Sequence, residues 1–254
     1  MTRLSAEFLE RPLAHRGLHD VTDGRPENSR SAILAAVEHG FGVEVDVQLS
    51  QDGAAMVFHD YVLERLTDEA GPVGIRTAES LRNISLTGSD EAIPDLPEIL
   101  ALVAGRTPLL IEIKDQDGEM GPDIGPLEIA VARAVEAYDG PLAIMSFNPF
   151  SIERMQALCP DVALGLVTSA YRSSDWPLSE QTCARLREIP DFDQLDVSFI
   201  SHEADDLDRN RVAQLKQQGA NILCWTVRSA EQEGRARNIA DNITFEGYLP
   251  GLPS

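Results

Sequence analysis

Lysine is nearly absent from this chain of 254 residues: only Lys114 and Lys216 occur, and the remaining basic residues are arginine. Lys and Arg together number 21 against 42 acidic residues, a formal net charge of -21, and no basic run interrupts the excess. Such a polyanion is repelled by nucleic-acid phosphates and by anionic lipid, so nucleic acid is excluded as a partner and no stable membrane association is expected. Cysteine is scarce as well. Cys159, Cys183 and Cys224 are odd in number and lack C-x-x-C spacing, which argues against a disulfide framework or a zinc knuckle and suits a reducing compartment. No segment approaches the roughly 20 apolar residues of a membrane span, and residues 1–17 hold no apolar run of signal-peptide length, so a cytoplasmic protein is expected. No G-x-G-x-x-G follows the first apolar run and no G-x-x-x-x-G-K-[ST] occurs. The usual nucleotide-binding reasons for an open doubly wound sheet are therefore missing.

What the chain does have is a 43% hydrophobic content, ample for a buried core at this length. Apolar, β-branched runs at 12–16, 42–49, 108–114, 141–147, 162–167, 195–200, 221–227 and 242–247 read as strands. Stretches of helical period lie between them at 29–39, 96–104, 127–138, 149–158, 179–188, 207–218 and 230–239. Eight strands with seven intervening helices over about 250 residues predict an α/β protein, a TIM (β/α)8 barrel forming one domain over 1–254. Asn28 is expected to cap the first of these helices, and Gly40 to take the left-handed position at its far end. Asp52-Gly53 after the second strand predicts a two-residue hairpin turn, which sets Gln51 against Ala54 and Asp46 against His59. Residues 61–92 are polar and aperiodic, and read as a small insertion before the second barrel helix.

Reactive groups of such barrels gather at the carboxyl ends of the strands. There the chain carries His15-Arg16-Gly17, Glu44 with Asp46, and Glu112 with Lys114. Side chains two apart in a strand share a face, so Glu44 and Asp46 point together, as do Glu112 and Lys114. Three carboxylates converging on a barrel mouth repel one another, and a divalent cation such as Mg²⁺ or Ca²⁺ relieves them. Arg16 and Lys114 then reverse the sign of the site, which accepts an anion. For Glu112 and Lys114 taken alone, a structural ion pair is an equal reading. His15 and His59 fall beside the carboxylates and titrate where one can take a proton from an attacking oxygen while the other gives one to a leaving alkoxide. His39 complements a helix end. His19 and His202 fall in loops and receive no role.

Ala14-His15-Arg16-Gly17, Pro26-Glu27-Asn28-Ser29, Glu44-Val45-Asp46-Val47, Asp52-Gly53, Phe58-His59-Asp60 with Leu63, Arg65 and Thr67, Ile93-Pro94, Ile111-Glu112-Ile113-Lys114 and Trp225-Thr226-Val227 follow one another in an order and spacing that resembles the glycerophosphodiester phosphodiesterase family. The resemblance runs from residue 13 to about 227, and the set through Lys114 carries its specificity. It implies a barrel of the phosphatidylinositol-phospholipase-C type that hydrolyses a small-molecule phosphodiester to glycerol 3-phosphate and an alcohol. It further implies a divalent metal on Glu44, Asp46 and Glu112, His15 and His59 as the acid/base pair, and Arg16 and Lys114 on phosphate oxygens. Residues 61–92 become the family's substrate-covering subdomain. Glu27 matches a family position next to the metal site, although charge at a helix N-terminus accounts for it equally. Trp225 matches a position able to contact the glycerol or alcohol group, although core packing is the favoured account of a tryptophan in a barrel strand.

The chain departs from the pattern at its end. A Gly-Ile-Ile-Thr-Asp-x-Pro closing strand is replaced by Ile243-Thr244-Phe245-Glu246-Gly247-Tyr248-Leu249-Pro250, which puts Phe245 at a position expected to be small or polar near the barrel mouth. Two alternatives keep the fold. One is a phosphodiesterase directed at a lysophospholipid or sphingolipid, for which Phe245, Tyr248 and Leu249 offer the only apolar face in sight. The other is a non-catalytic phosphodiester-binding relative, which would not need both histidines. No motif selects an oligomeric state or distinguishes Mg²⁺ from Ca²⁺.

Overall fold

Eight parallel strands close on themselves in the computed structural model, which describes residues 2–252. In chain order the strands are β1 (Leu13–Ala14), β2 (Gly42–Leu49), β3 (Ala55–Val57), β4 (Leu109–Ile113), β5 (Leu142–Ser146), β6 (Ala163–Thr168), β7 (Phe199–Glu203), β8 (Asn221–Val227) and β9 (Asn242–Phe245). β1 pairs in parallel with both β2 and β9, which closes the barrel, and β3 runs antiparallel to β2 outside the ring. Helices at Arg30–Glu38, Leu96–Val103, Pro126–Val135, Pro149–Leu158, Glu180–Arg187, Asn210–Gln217 and Ala230–Ala236 cover the outside.

Period-two alternation explains how the same strands build both a core and a site. On β4, Leu109, Ile111 and Ile113 face the large cluster between strands and helices, and Leu110 joins the smaller one inside the ring with Leu13, Met145, Phe199 and Leu223. Glu112 and Lys114 continue the face of Leu110 toward the carboxyl end. On β2, Val43, Val45 and Val47 pack outward, which leaves Glu44 and Asp46 on the inner face. The apolar layer is tight: a Cβ on Gly165 would stand 2.3 Å from the Phe199 ring.

Three local readings need correction. The hairpin pairs Val47 with Val57 and Leu49 with Ala55, so its loop has three residues, Gln51 to Gly53, of which only Gly53 has positive φ. The Phe58 N–H donates to the Asp46 carbonyl, and His59 lies one position beyond the expected register. Ser50 decides the turn: its hydroxyl donates to Asp52 and accepts from the Ala54 N–H, drawing in the extra residue. The strand expected at 195–200 begins at Phe199, because the Leu195 N–H is taken by Asp191 in a preceding 3₁₀ turn. His202 therefore sits buried on β7, bonded to the Thr168 hydroxyl, and not in a loop. Ser29, not Asn28, caps helix Arg30–Glu38 by accepting from the Ala32 N–H, while Gly40 does adopt the left-handed conformation. Residues 61–92 hold a small core of their own, in which Leu63, Val73, Leu81 and Leu86 pack on Met56 and Phe58. Its strand contacts are single bridges, which is why no period shows. No helix among the described residues is long and apolar enough to cross a membrane.

Candidate active site

Glu44, Asp46 and Glu112, all buried, each bring a carboxylate oxygen to within 4.8 Å of the other two. Lys114 Nζ donates to Glu112 at 2.7 Å and to Asp46 at 3.1 Å. Burial pulls the Lys114 pKa down, but the two carboxylates more than offset it and leave it raised. Burial likewise pushes Asp46 up, yet Lys114, His59, Arg16 and His15 outweigh it and hold the group far below the usual carboxylate range. Glu44 fares differently. Its Oε2 accepts from the Arg16 N–H at 2.9 Å, its Oε1 is buried without a partner, and burial followed by Asp46 and Glu112 drives its pKa well above normal. An orphaned carboxylate oxygen beside two further carboxylates is a donor set that suits a hard divalent cation.

Each of the two candidate histidines is oriented by a carboxylate. His15 Nδ1 lies 2.6 Å from Glu246 Oε2, whose other oxygen accepts from Arg228 at 2.8 Å. His59 Nδ1 lies 2.6 Å from Asp60 Oδ1. With Nδ1–H held by its carboxylate, either ring leaves Nε2 as the atom that takes a proton or, once protonated, gives one. Burial lowers the His15 pKa, and Glu246 opposes it only in part. Hydrogen bonds from His15 and His19 hold Glu246 far below the usual range, against burial.

Arg16 and Asn28 complete the constellation, both with positive φ, at 56° and 58°. Asparagine tolerates this conformation, and here it aims the amide at β2: Nδ2 donates to Asp46 Oδ2 at 2.9 Å, and Oδ1 accepts from the Asp46 N–H. Arg16 donates to Glu27 at 2.6 Å, and Glu27 receives two further bonds from Arg65, itself forked onto Asp60. A continuous ionic chain thus joins His59 to Arg16 through the inserted segment.

A cavity of about 130 Å³ collects His15, Arg16, Glu44, Asp46, His59, Glu112, Lys114 and Trp225. It adjoins a larger one of about 470 Å³ that shares His59, Glu112, Lys114, Phe147 and Trp225. Trp225 serves packing and site together: its indole N–H donates to the Ser201 carbonyl and its ring meets Phe147 edge-on, yet it walls both cavities. Phe245 is not at the mouth. It is buried on the outer face of β9 against Phe41, and Tyr248 and Leu249 line a separate cleft. Sequence reasoning gave no site role to Asp60, Glu246 or Arg65, and read Asn28 only as a helix cap. Asp60 is adjacent to His59, and Glu246 holds the acidic position of the divergent closing strand, so both had a signal.

Residues 15–241 match the model of the glycerophosphoryl diester phosphodiesterase family. A glycerophosphodiester phosphodiesterase from Caldanaerobacter subterraneus is 29% identical over 177 residues, 66% of this chain and 70% of its own. The YhdW protein of Bacillus subtilis is 27% identical over 225 residues, 85% of each chain. Among solved structures, an Oleispira antarctica phosphodiesterase in complex with its product sn-glycerol 3-phosphate superposes with a TM-score of 0.77 at 26% identity, covering 94% of this chain and 93% of that one. The chain belongs to the glycerophosphoryl diester phosphodiesterase family, and it is an enzyme of that class.

Proposed function

We propose that this enzyme hydrolyses a glycerophosphodiester to glycerol 3-phosphate and an alcohol, with a divalent cation on Glu44, Asp46 and Glu112 and with His15 and His59 as the proton-transfer pair. The observation that carries the reading is the meeting, in one cavity of about 130 Å³, of two carboxylate-backed histidines, three clustered carboxylates and two cations. When bound, the cation supplies Lewis-acid stabilisation of charge on a phosphoryl oxygen. Arg16 grips two phosphate oxygens with its planar fork, whereas Lys114 offers a point charge. His15 is kept neutral by burial and takes on Nε2 a proton from the attacking water, whose oxygen bonds to phosphorus, with Glu246 steadying the imidazolium that results. His59 walls both cavities and gives its proton to the alkoxide oxygen as the bond from phosphorus breaks, so the alcohol departs toward the larger cavity.

Glycerophosphocholine turnover tests the reading. Chelation should abolish it and Mg²⁺ or Ca²⁺ should restore it. Glu44→Gln, Asp46→Asn and Glu112→Gln should each be inactive while retaining the wild-type circular dichroism. His15→Ala and His59→Ala should each lose on the order of 10²-fold or more in kcat. Undiminished turnover after exhaustive chelation and dialysis, or in either histidine variant, refutes it.

A further inference from the structure

We infer that the larger cavity seats the leaving alcohol and selects glycerophosphodiesters whose alcohol carries an apolar body, such as an alkyl chain, over those esterified to a polyol. The inference rests on the reading of His15, His59 and the carboxylates given above. His59 walls both cavities, while His15 and Arg16 wall only the smaller. A diester held at its phosphate therefore extends one arm into each. The smaller cavity has polar walls, including the buried and unpartnered hydroxyl of Thr244, and at about 130 Å³ it suits glycerol.

The larger cavity is built from different chemistry. Tyr61, Val62, Met120, Phe147, Trp176 and Trp225 form its outer wall. The carboxylates on its inner wall are already engaged. Asp60 is bonded by His59 and Arg65, and Glu112 by Lys114. Asp115 accepts from the N–H groups of Asp117, Gly118 and Met120 and from the Asn148 amide. A polyol entering here gives up water for few new partners, whereas each methylene gains by leaving water. The volume of about 470 Å³ is that of a pocket for a sizeable organic group. At the mouth, Tyr61 and Val62 remain 52% and 42% exposed, apolar surface placed where an apolar alcohol would enter. The apolar face that Phe245, Tyr248 and Leu249 are expected to offer is supplied instead by the inserted segment and the loops after β4, β5 and β6.

The test is kcat/KM across sn-glycero-3-phospho esters of glycerol, choline, 1-butanol and 1-octanol. The rate constant should rise by about fourfold per methylene from butyl to octyl while the cavity fills. Trp176→Ala and Val62→Glu should each cut the octyl-to-glyceryl ratio by about tenfold, and Val62, being exposed, can be replaced without loss of the fold. Of the two tryptophans, Trp225 walls both cavities and Trp176 only the larger, so the part of the intrinsic emission that Trp176→Phe removes reads occupancy of the larger cavity. An uncleavable octyl phosphonate analogue should shift that emission, and the glyceryl phosphonate should not. A flat series, or a choline ester preferred over the octyl ester, with the glyceryl ester turned over normally, overturns the inference. Absence of turnover with every ester, alongside the emission shift, overturns the diesterase reading and supports the cavity assignment.

Discussion

Replacing Arg65 by glutamine should separate catalysis from stability. Arg65 lies on the inserted segment and donates to Asp60 at 2.6 and 2.8 Å and to Glu27 at 2.8 Å twice. Asp60 holds His59, and Glu27 holds Arg16, so a single guanidinium fixes the partner of the proposed proton donor and the partner of the proposed phosphate clamp. Its side chain is 47% exposed, and solvent screening limits pairs of this kind to about 1 kcal/mol each. For a chain of this size the two pairs together mean a drop in Tm of about 8 °C or less. A domain stable by roughly 5–15 kcal/mol stays folded after such a loss. Groups that orient a ligand or a histidine from behind nonetheless govern activity by about 10–100-fold. Arg65→Gln should therefore lower kcat by at least about tenfold through His59 and raise KM through Arg16, with a melting curve displaced by no more than that drop. Arg65→Lys keeps the charge but cannot fork onto two carboxylates, and should recover only part of the loss. Steady-state kinetics beside a thermal melt decide the matter. Values of kcat and KM within twofold of wild type would show that His59 and Arg16 are positioned without this chain of ion pairs.

Glu246→Gln removes the group that raises the His15 pKa against burial, so the acid limb of kcat/KM should move to lower pH while the plateau falls. The folded-state pKa of Glu246 is depressed, so its stabilisation is present above the ordinary carboxylate pKa of 4.5 and is lost as pH falls. The difference in Tm between wild type and Glu246→Gln should accordingly shrink below about pH 4.5, which melts across a pH series will read. Gly165→Ala forces a methyl against the Phe199 ring inside the barrel and should destabilise by about 1–3 kcal/mol, measured by urea unfolding at unchanged m-value. Arg16→Lys should impair phosphate capture although it conserves charge, and wild-type KM in that variant would remove the bidentate grip from the scheme.

How far these residues were legible depends on which forces placed them. Parallel strands buried on both faces read as apolar runs, and a charge inside such a run is conspicuous, so Glu44, Asp46 and Glu112 stood out before any fold was known. The hairpin register was not legible in the same way, because Asp-Gly closes loops of two residues or three, and the choice fell to one hydroxyl, Ser50, bonding to the backbone. Asn28 and Ser29 are adjacent and both are good helix caps; what separates them is Asp46, which claims the Asn28 amide from another strand. Propensity has no access to that competition. The same holds for Glu246, whose neighbour Phe245 drew notice as a departure although the ring packs outward and only the carboxylate faces His15. A strand end turns alternate residues to opposite faces, so a substitution at one position says little about the site when its neighbour is the one that faces it. The surroundings of the two proposed catalytic histidines at this barrel mouth therefore come from Glu246 and from the stretch carrying Asp60, Tyr61, Val62 and Arg65, where no period in the sequence marks which side chains turn inward.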